Sequence, residues 1–240
     1  RTGKRRDATK DDYVALGAMF LPEKAQYTHL ANLPESEDLA EAVNSAMKLI
    51  ENEYEELAGI LPKNYQELTP EDDSDNNLLA NLIRIFNSDS VQKAKGDVFG
   101  RVYEYFLMKL SMMGAGAQEG GEFFTPPSLV QLIVNFIQPD HGIIHDPACG
   151  SGGMFVQSIK FIEAHHGNKK EIAIYGQEYT NTTYKLAKMN LAIRGISGNL
   201  GEKAADTFGD DQHKDLKADF IMANPPFNQK DWRAANELTD

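Results

Sequence analysis

The feature that most restricts the fold of this 240-residue chain lies in its second half, where the apolar stretch IIHD, residues 143–146, passes directly into PACGSGG and then into MFVQSIKFIEAHH. Glycines at 150, 152 and 153, placed straight after a strand, let the backbone turn sharply and approach a ligand where a side chain would clash. The run lacks the Lys-Ser/Thr pair of a phosphate loop, and GSGG does not fit the GxGxxG of dinucleotide folds. The residues therefore read as a loop for a nucleotide-like cofactor that is not gripped through its phosphates; a plain tight turn is the structural alternative.

The surrounding pattern alternates. A helix over Leu129–Ile137 precedes the loop and a helix over Met154–His165 follows it. IAIYGQE reads as a strand, Thr183–Arg194 as a helix, and ADFIMANPPF as a strand running into a proline-terminated loop. Strands separated by helices fold as a parallel α/β sheet. The first half differs: Leu39, Val43, Met47, Ile50, Tyr54 and Leu57 recur at three- and four-residue steps after Ser36, which is placed to cap an amphipathic helix. Further helices are expected over Leu78–Phe86 and Asp97–Met113. Periodicity stops at GAGAQEGG, residues 114–121, so the domain boundary is expected there, with a helical domain over 1–116 and an α/β domain over 117–240.

Composition narrows the function classes. The longest uncharged apolar run is about half of the ~20 residues a membrane-spanning helix requires, and no charged-then-apolar leader opens the sequence, so a cytoplasmic protein with no membrane association is expected. A single cysteine, Cys149, excludes an internal disulfide framework and a multi-cysteine zinc site. His141 and His145 flank a turn and strand rather than sharing a helix face, and His165 and His166 end a polar helix, so no metal site is expected. The net charge of −12 works against unaided binding to a polyanion. If nucleic acid is the substrate, local basic residues, a further segment or a basic partner must supply much of the phosphate contact.

The strand ends carry the candidate chemistry. Glu178 stands at the carboxyl end of the second strand, where an acidic side chain can accept hydrogen bonds from both hydroxyls of a ribose; a helix-start carboxylate is the alternative. Asp206 could end a third strand and accept from an adenine amino group, or belong to a solvated acidic loop with Asp210, Asp211 and Asp215. Asn224-Pro225-Pro226-Phe227 is the most informative tetrapeptide. Its prolines fix φ and remove donors, so the amide of Asn224 and the Pro225 carbonyl are held in set directions, where both can accept from one exocyclic NH2; an ordinary Asn-Pro-Pro turn is the alternative. Phe227 can stack on a planar group beside them.

DPACGSGG, the strand-end Glu178 and NPPF, in that order after GEFFTPPSLVQLIV, resemble the S-adenosylmethionine-dependent amino-methyltransferases. DVFGRVYEYFL followed by the Gly-rich joint and GEFFTP, together with ILPKNY, looks like the modification subunit of type I restriction-modification systems, an N6-adenine DNA methyltransferase family. The resemblance covers most of residues 40–228. It implies an α/β fold: a Rossmann-like methyltransferase sheet, incomplete in this chain, preceded by an all-helical N-terminal domain for partner and DNA contacts. It departs from the family near Phe20-Leu21-Pro22, where a segment is abbreviated, and in having fewer readable strands.

The resemblance further implies S-adenosylmethionine as cofactor, held by Glu122, Phe123, Phe124, Thr125, Pro126, Asp146, Pro147, Gly150, Ser151, Gly152, Gly153, Glu178 and Asp206. It implies catalysis by Asn224, Pro225, Pro226 and Phe227 on a flipped-out adenine. The partners it implies are double-stranded DNA, a specificity subunit, a second modification subunit and a restriction subunit. Cytosine-C5 chemistry needs a cysteine nucleophile after proline, whereas Cys149 follows Ala148 inside the cofactor loop. The rival readings are an amino-methyltransferase acting on RNA or protein glutamine, and a non-catalytic methyltransferase-like scaffold.

Overall fold

The computed structural model describes residues 8–15, 18–34, 36–68, 78–93, 97–113 and 125–225. Contacts divide the chain into two units, residues 1–98 and 99–240. The boundary expected at 116 therefore lies one helix further along than this division. The glycine joint used to place it falls outside the described residues, whereas the helix before it makes hydrogen bonds within the second unit.

The first unit is helical in its described residues: α1 (Lys10–Ala15), α2 (Tyr27–Ala31), α3 (Leu39–Glu53), α4 (Leu78–Phe86) and α5 (Asp89–Gln92), with short 3-10 turns between some of them. Its centre is α3, whose Ala40, Val43 and Ala46 pack with Ala25, Leu30 and Leu79. Small residues along that face let the neighbouring segments approach closely. The start of α3 is a correction to the sequence reading. Asp38, not Ser36, is the N-cap, and its carboxylate accepts from the amides of Ala40 and Glu41. Past the helix, Glu51 accepts from the Leu61 amide at 2.9 Å and pairs with Lys63 at 2.7 Å, which fixes the ILPKNY segment against α3.

The second unit is the α/β one. It comprises α6 (Val98–Met113), α7 (Pro127–Ile137), β1 (Gly142–Asp146), α8 (Gly153–Ala164), β2 (Ile172–Gly176), α9 (Asn181–Ala192) and β3 (Phe220–Ile221). The three strands are parallel in the order β2-β1-β3, with Ile144 opposite Ile174 on one side and Phe220 on the other. Parallel strands require crossovers, and α8 and α9 supply them. Val130 and Val134 of α7, Phe155, Ile159 and Ile162 of α8, and Ile144 and Ile174 of the sheet are among the residues of its buried core. Tyr103 of α6 donates to the Leu186 carbonyl at 2.8 Å, and Glu104 pairs with Arg194 at 2.9 Å, so α6 is fastened to α9.

Two strand expectations can be followed in the backbone. Of the two readings of Asp206, the backbone does not form the strand end: the sheet contact nearby is a single parallel bridge between Tyr175 and Asn199, seven positions earlier in the chain. Asn199 gives its amide to Ile174 and takes that of Gly176, after which the backbone leaves the sheet in turns. The strand expected within ADFIMANPPF, ahead of its proline-terminated loop, is Phe220–Ile221 among the described residues, with the Met222 amide still donating to the His145 carbonyl before Asn224.

Candidate functional site

The strand-to-helix loop after β1 is held from several sides. The Asp146 carboxylate accepts from the Ala148 amide at 3.0 Å, and the Cys149 amide donates to the Gln177 carbonyl at 2.9 Å. The Gly150 amide donates to Glu178 Oε2 at 3.0 Å, the Asn190 side chain donates to the Ser151 carbonyl at 2.7 Å, and the Thr207 hydroxyl donates to the Pro147 carbonyl at 2.6 Å. The loop is thus rigid, set by β2, α9 and the chain beyond Ala205.

Its glycines divide by purpose. Gly152 has φ +81°, caps α8 from the left-handed region, and faces Phe155, Ala187 and Leu191. Beside Gly150 and Gly153, by contrast, a Cβ would meet no heavy atom within 4 Å apart from the adjoining backbone. That open space belongs to a cleft lined by Thr125, Val130, Asp146, Ala148, Cys149, Gly150, Ser151, Gly153, Met154 and Asn224. Residues from the segment before α7, the loop after β1 and the end of β3 therefore meet at one place. Asn224 Nδ2 donates to Thr125 Oγ1 at 2.9 Å, a contact between residues 99 positions apart.

Asp146 sets the electrostatics. It is buried, and desolvation followed by the nearby Glu178 carboxylate pushes its acid up to about 7 despite the Ala148 amide. The Cys149 thiol is buried too, and desolvation, Asp146 and Glu178 hold it well above its ordinary range. It is a poor nucleophile there.

Of the residues singled out in the sequence, Thr125, Asp146, Gly150, Ser151, Gly153 and Asn224 come together in the cleft. Glu178 reaches it through the Gly150 amide, and its other oxygen accepts from the Thr180 amide at the start of α9. Pro126 caps α7 and is exposed, and Pro225 is exposed beyond β3. Pro147 is joined to the loop of Asp206 through Thr207. Asp206 itself accepts from the Phe208 amide within a turn and does not line the cleft. Glu122, Phe123, Phe124, Pro226 and Phe227 lie outside the described residues.

His145 packs edge-on against His213 with ring centroids 5.8 Å apart, and desolvation and His213 hold it below the usual histidine range. His141 is exposed beside Asp140. No group of three metal-ligating side chains occurs among the described residues. No helix among them is long and apolar enough to cross a membrane.

Two residues went unread in the sequence. Gln177 is fully buried; its Nε2 donates to the carbonyls of Ala205 and Asp210 and its Oε1 accepts from the Gln212 amide, which ties the chain around Asp206 to β2. Asn190 is a buried amide within α9. The only local signal for either is a polar residue on an otherwise buried face.

Residues 94–240 match the N-6 DNA methylase family, and residues 2–86 match the HsdM N-terminal domain. The type I restriction enzyme HindI methylase subunit of Haemophilus influenzae is 43% identical over 204 residues, covering 81% of this chain and 44% of that protein. The type I restriction enzyme MjaIX methylase subunit of Methanocaldococcus jannaschii is 36% identical over 226 residues, covering 94% of this chain and 39% of that protein. The chain thus spans less than half the length of these curated relatives. The crystal structure of a type I restriction-modification system methyltransferase subunit from Streptococcus thermophilus shares the fold, with a TM-score of 0.65 at 20% identity, over 90% of this chain and 47% of that one. The strand-loop-helix cleft, the helical unit before it and both matched regions lead to one conclusion: the chain belongs to the N-6 DNA methylase family, in the arrangement of a type I restriction enzyme methylase subunit.

Proposed function

We propose that this chain is part of a site-specific DNA adenine-N6 methyltransferase subunit of a type I restriction-modification complex, using S-adenosylmethionine and working in the cytoplasm. The observation that carries the reading is the meeting of Asn224 with the glycine loop across one cleft. S-adenosylmethionine supplies, when bound, an activated methyl group on a cationic sulfur. The open space beside Gly150 and Gly153 and the buried carboxylate of Asp146 suit a cationic ligand that packs closely on backbone, with Ser151 in the cleft lining to meet its polar groups.

Adenine N6 is a weak nucleophile because its lone pair is delocalised into the ring. Asn224 Oδ1 and the Pro225 carbonyl accept its two hydrogens, which draws the nitrogen towards tetrahedral geometry and frees the lone pair for in-line attack on the methyl carbon: the N–C bond would form as the methyl–sulfur bond breaks to leave a neutral thioether, and the surplus amine proton would pass to water. Cys149, buried and held as a thiol, takes no part. A base inside a duplex cannot reach such a cleft, so the nucleotide swings out at a cost of a few kcal/mol, with Phe227 as stacking partner. With a net charge of −12, the DNA grip comes largely from elsewhere. A specificity subunit reading the sequence, a second modification subunit and a restriction subunit complete the assembly.

The test is transfer of labelled methyl by the full-length subunit, with and without its specificity partner. Label at adenine in unmethylated duplex DNA, lost in Asn224→Ala while cofactor affinity is kept, is the expected result. Label in RNA or protein with none in DNA overturns the substrate, and failure of the wild-type protein to bind cofactor overturns the enzyme.

A further inference from the structure

We infer that Thr125 is a positioning residue for Asn224: its hydroxyl oxygen takes the Asn224 NH2 and so turns the amide carbonyl towards the reacting amine. This rests on the proposed adenine-N6 chemistry and assigns within it a task that a cofactor contact alone would not include.

An asparagine amide carries an acceptor and a donor of nearly equal size, and rotation by half a turn exchanges them at little intrinsic cost. The exchange matters here. An exocyclic amine offers two hydrogens, so an Asn224 presenting its own NH2 would set donor against donor. The peptide linkage to Pro225 restricts the backbone at this point, and with it the direction in which the side chain leaves, but not the terminal torsion that decides which end of the amide faces outward. The Thr125 hydroxyl does act on it: a hydroxyl can donate as well as accept, and in this structure it accepts, with Asn224 Nδ2 donating to Oγ1 at 2.9 Å. Among the described residues the Asn224 Oδ1 accepts no hydrogen bond, and Asn224 lines the cleft beside Asp146 and Gly150. Among the described residues, therefore, the donor half of the amide is engaged by the protein and the acceptor half has no partner.

Thr125 is itself well placed to be rigid. It immediately precedes Pro126, the N-cap of α7, and α7 is anchored by the buried Val130 and Val134. A threonine also has restricted χ1 freedom.

The experiment compares Thr125→Val and Thr125→Ser in the full-length subunit with its specificity partner, measuring single-turnover methyl transfer to duplex DNA and, separately, equilibrium cofactor binding. Valine keeps the shape and removes the hydroxyl. The expected result is a transfer rate lower by about tenfold, the equivalent of one orienting hydrogen bond, with cofactor affinity within about twofold of wild type. Thr125→Ser should restore the rate to within about threefold. A Thr125→Val rate within twofold of wild type, while Asn224→Ala is inactive, overturns this inference and leaves the proposed function standing. A rate loss matched by an equal loss of cofactor affinity overturns it in favour of a simple cofactor contact. If wild type transfers no methyl to adenine, the functional reading fails and the inference with it.

Discussion

Asn substitution at Asp146 separates the electrostatic cost of the cleft from its use. The acid is buried and sits at about 7, against 3.8 for an ordinary aspartate. Between those two values the folded protein keeps a proton that the unfolded chain has released, so stability falls as pH rises through this window, and the full penalty is present above about 7. At 1.36 kcal/mol per unit the shift of roughly 3 units corresponds to a ceiling of about 4 kcal/mol. About half of it develops between roughly pH 5.5 and pH 8. Asp146→Asn keeps an oxygen for the Ala148 amide and cannot ionise. Denaturant unfolding of the ligand-free full-length subunit should therefore show the variant gaining about 2 kcal/mol more over wild type at pH 8 than at pH 5.5. Cofactor affinity should move in the opposite sense. A cation favours the ionised carboxylate, so wild-type affinity falls as pH drops below about 7, and the variant is weaker with little pH dependence. An Asn variant with the same stability difference at both pH values would refute the assignment of a buried, strained charge to Asp146.

Other substitutions test the packing around the loop. In Gly176→Ala the new methyl meets the Phe155 ring at 2.8 Å and Leu200 at 2.9 Å, an overpacking that should cost about 1–3 kcal/mol in thermal unfolding. Gln177→Leu strips the hydrogen bonds to Ala205, Asp210 and Gln212; a cofactor KM rise of about tenfold with a much smaller change in kcat is expected from steady-state assays. Gly150→Val places a branched side chain at φ +53° and in the open cleft, so calorimetry should detect no cofactor binding while circular dichroism still reports a folded protein.

Sequence periodicity located α4 to the residue and α8 and β1 to within a residue of each end, because each has a buried face whose spacing is written locally. Capping was less legible. Ser36 and Asp38 are both good caps by type, and only the backbone path selects the aspartate. No local pattern chooses between the two readings of Asp206, strand end or acidic loop, because the edge of the sheet is made by Asn199 through its bonds to Ile174 and Gly176. In the site, the glycine loop was readable from its spacing and the asparagine from its prolines. The bond that joins Asn224 to Thr125 spans 99 positions and depends on how α7 and β3 dock, which lies beyond any window of sequence.

Glu178 deserves a different reading from that of a plain ligand contact. Each of its oxygens already receives a main-chain N–H, one from Gly150 and one from Thr180, and a carboxylate has about four lone-pair directions in all. A sugar diol arriving here would join an occupied hub rather than fill a vacant one. Truncating this side chain would therefore strand two amides and slacken the glycine turn, so the lost affinity of such a mutant would report scaffold damage together with missing recognition.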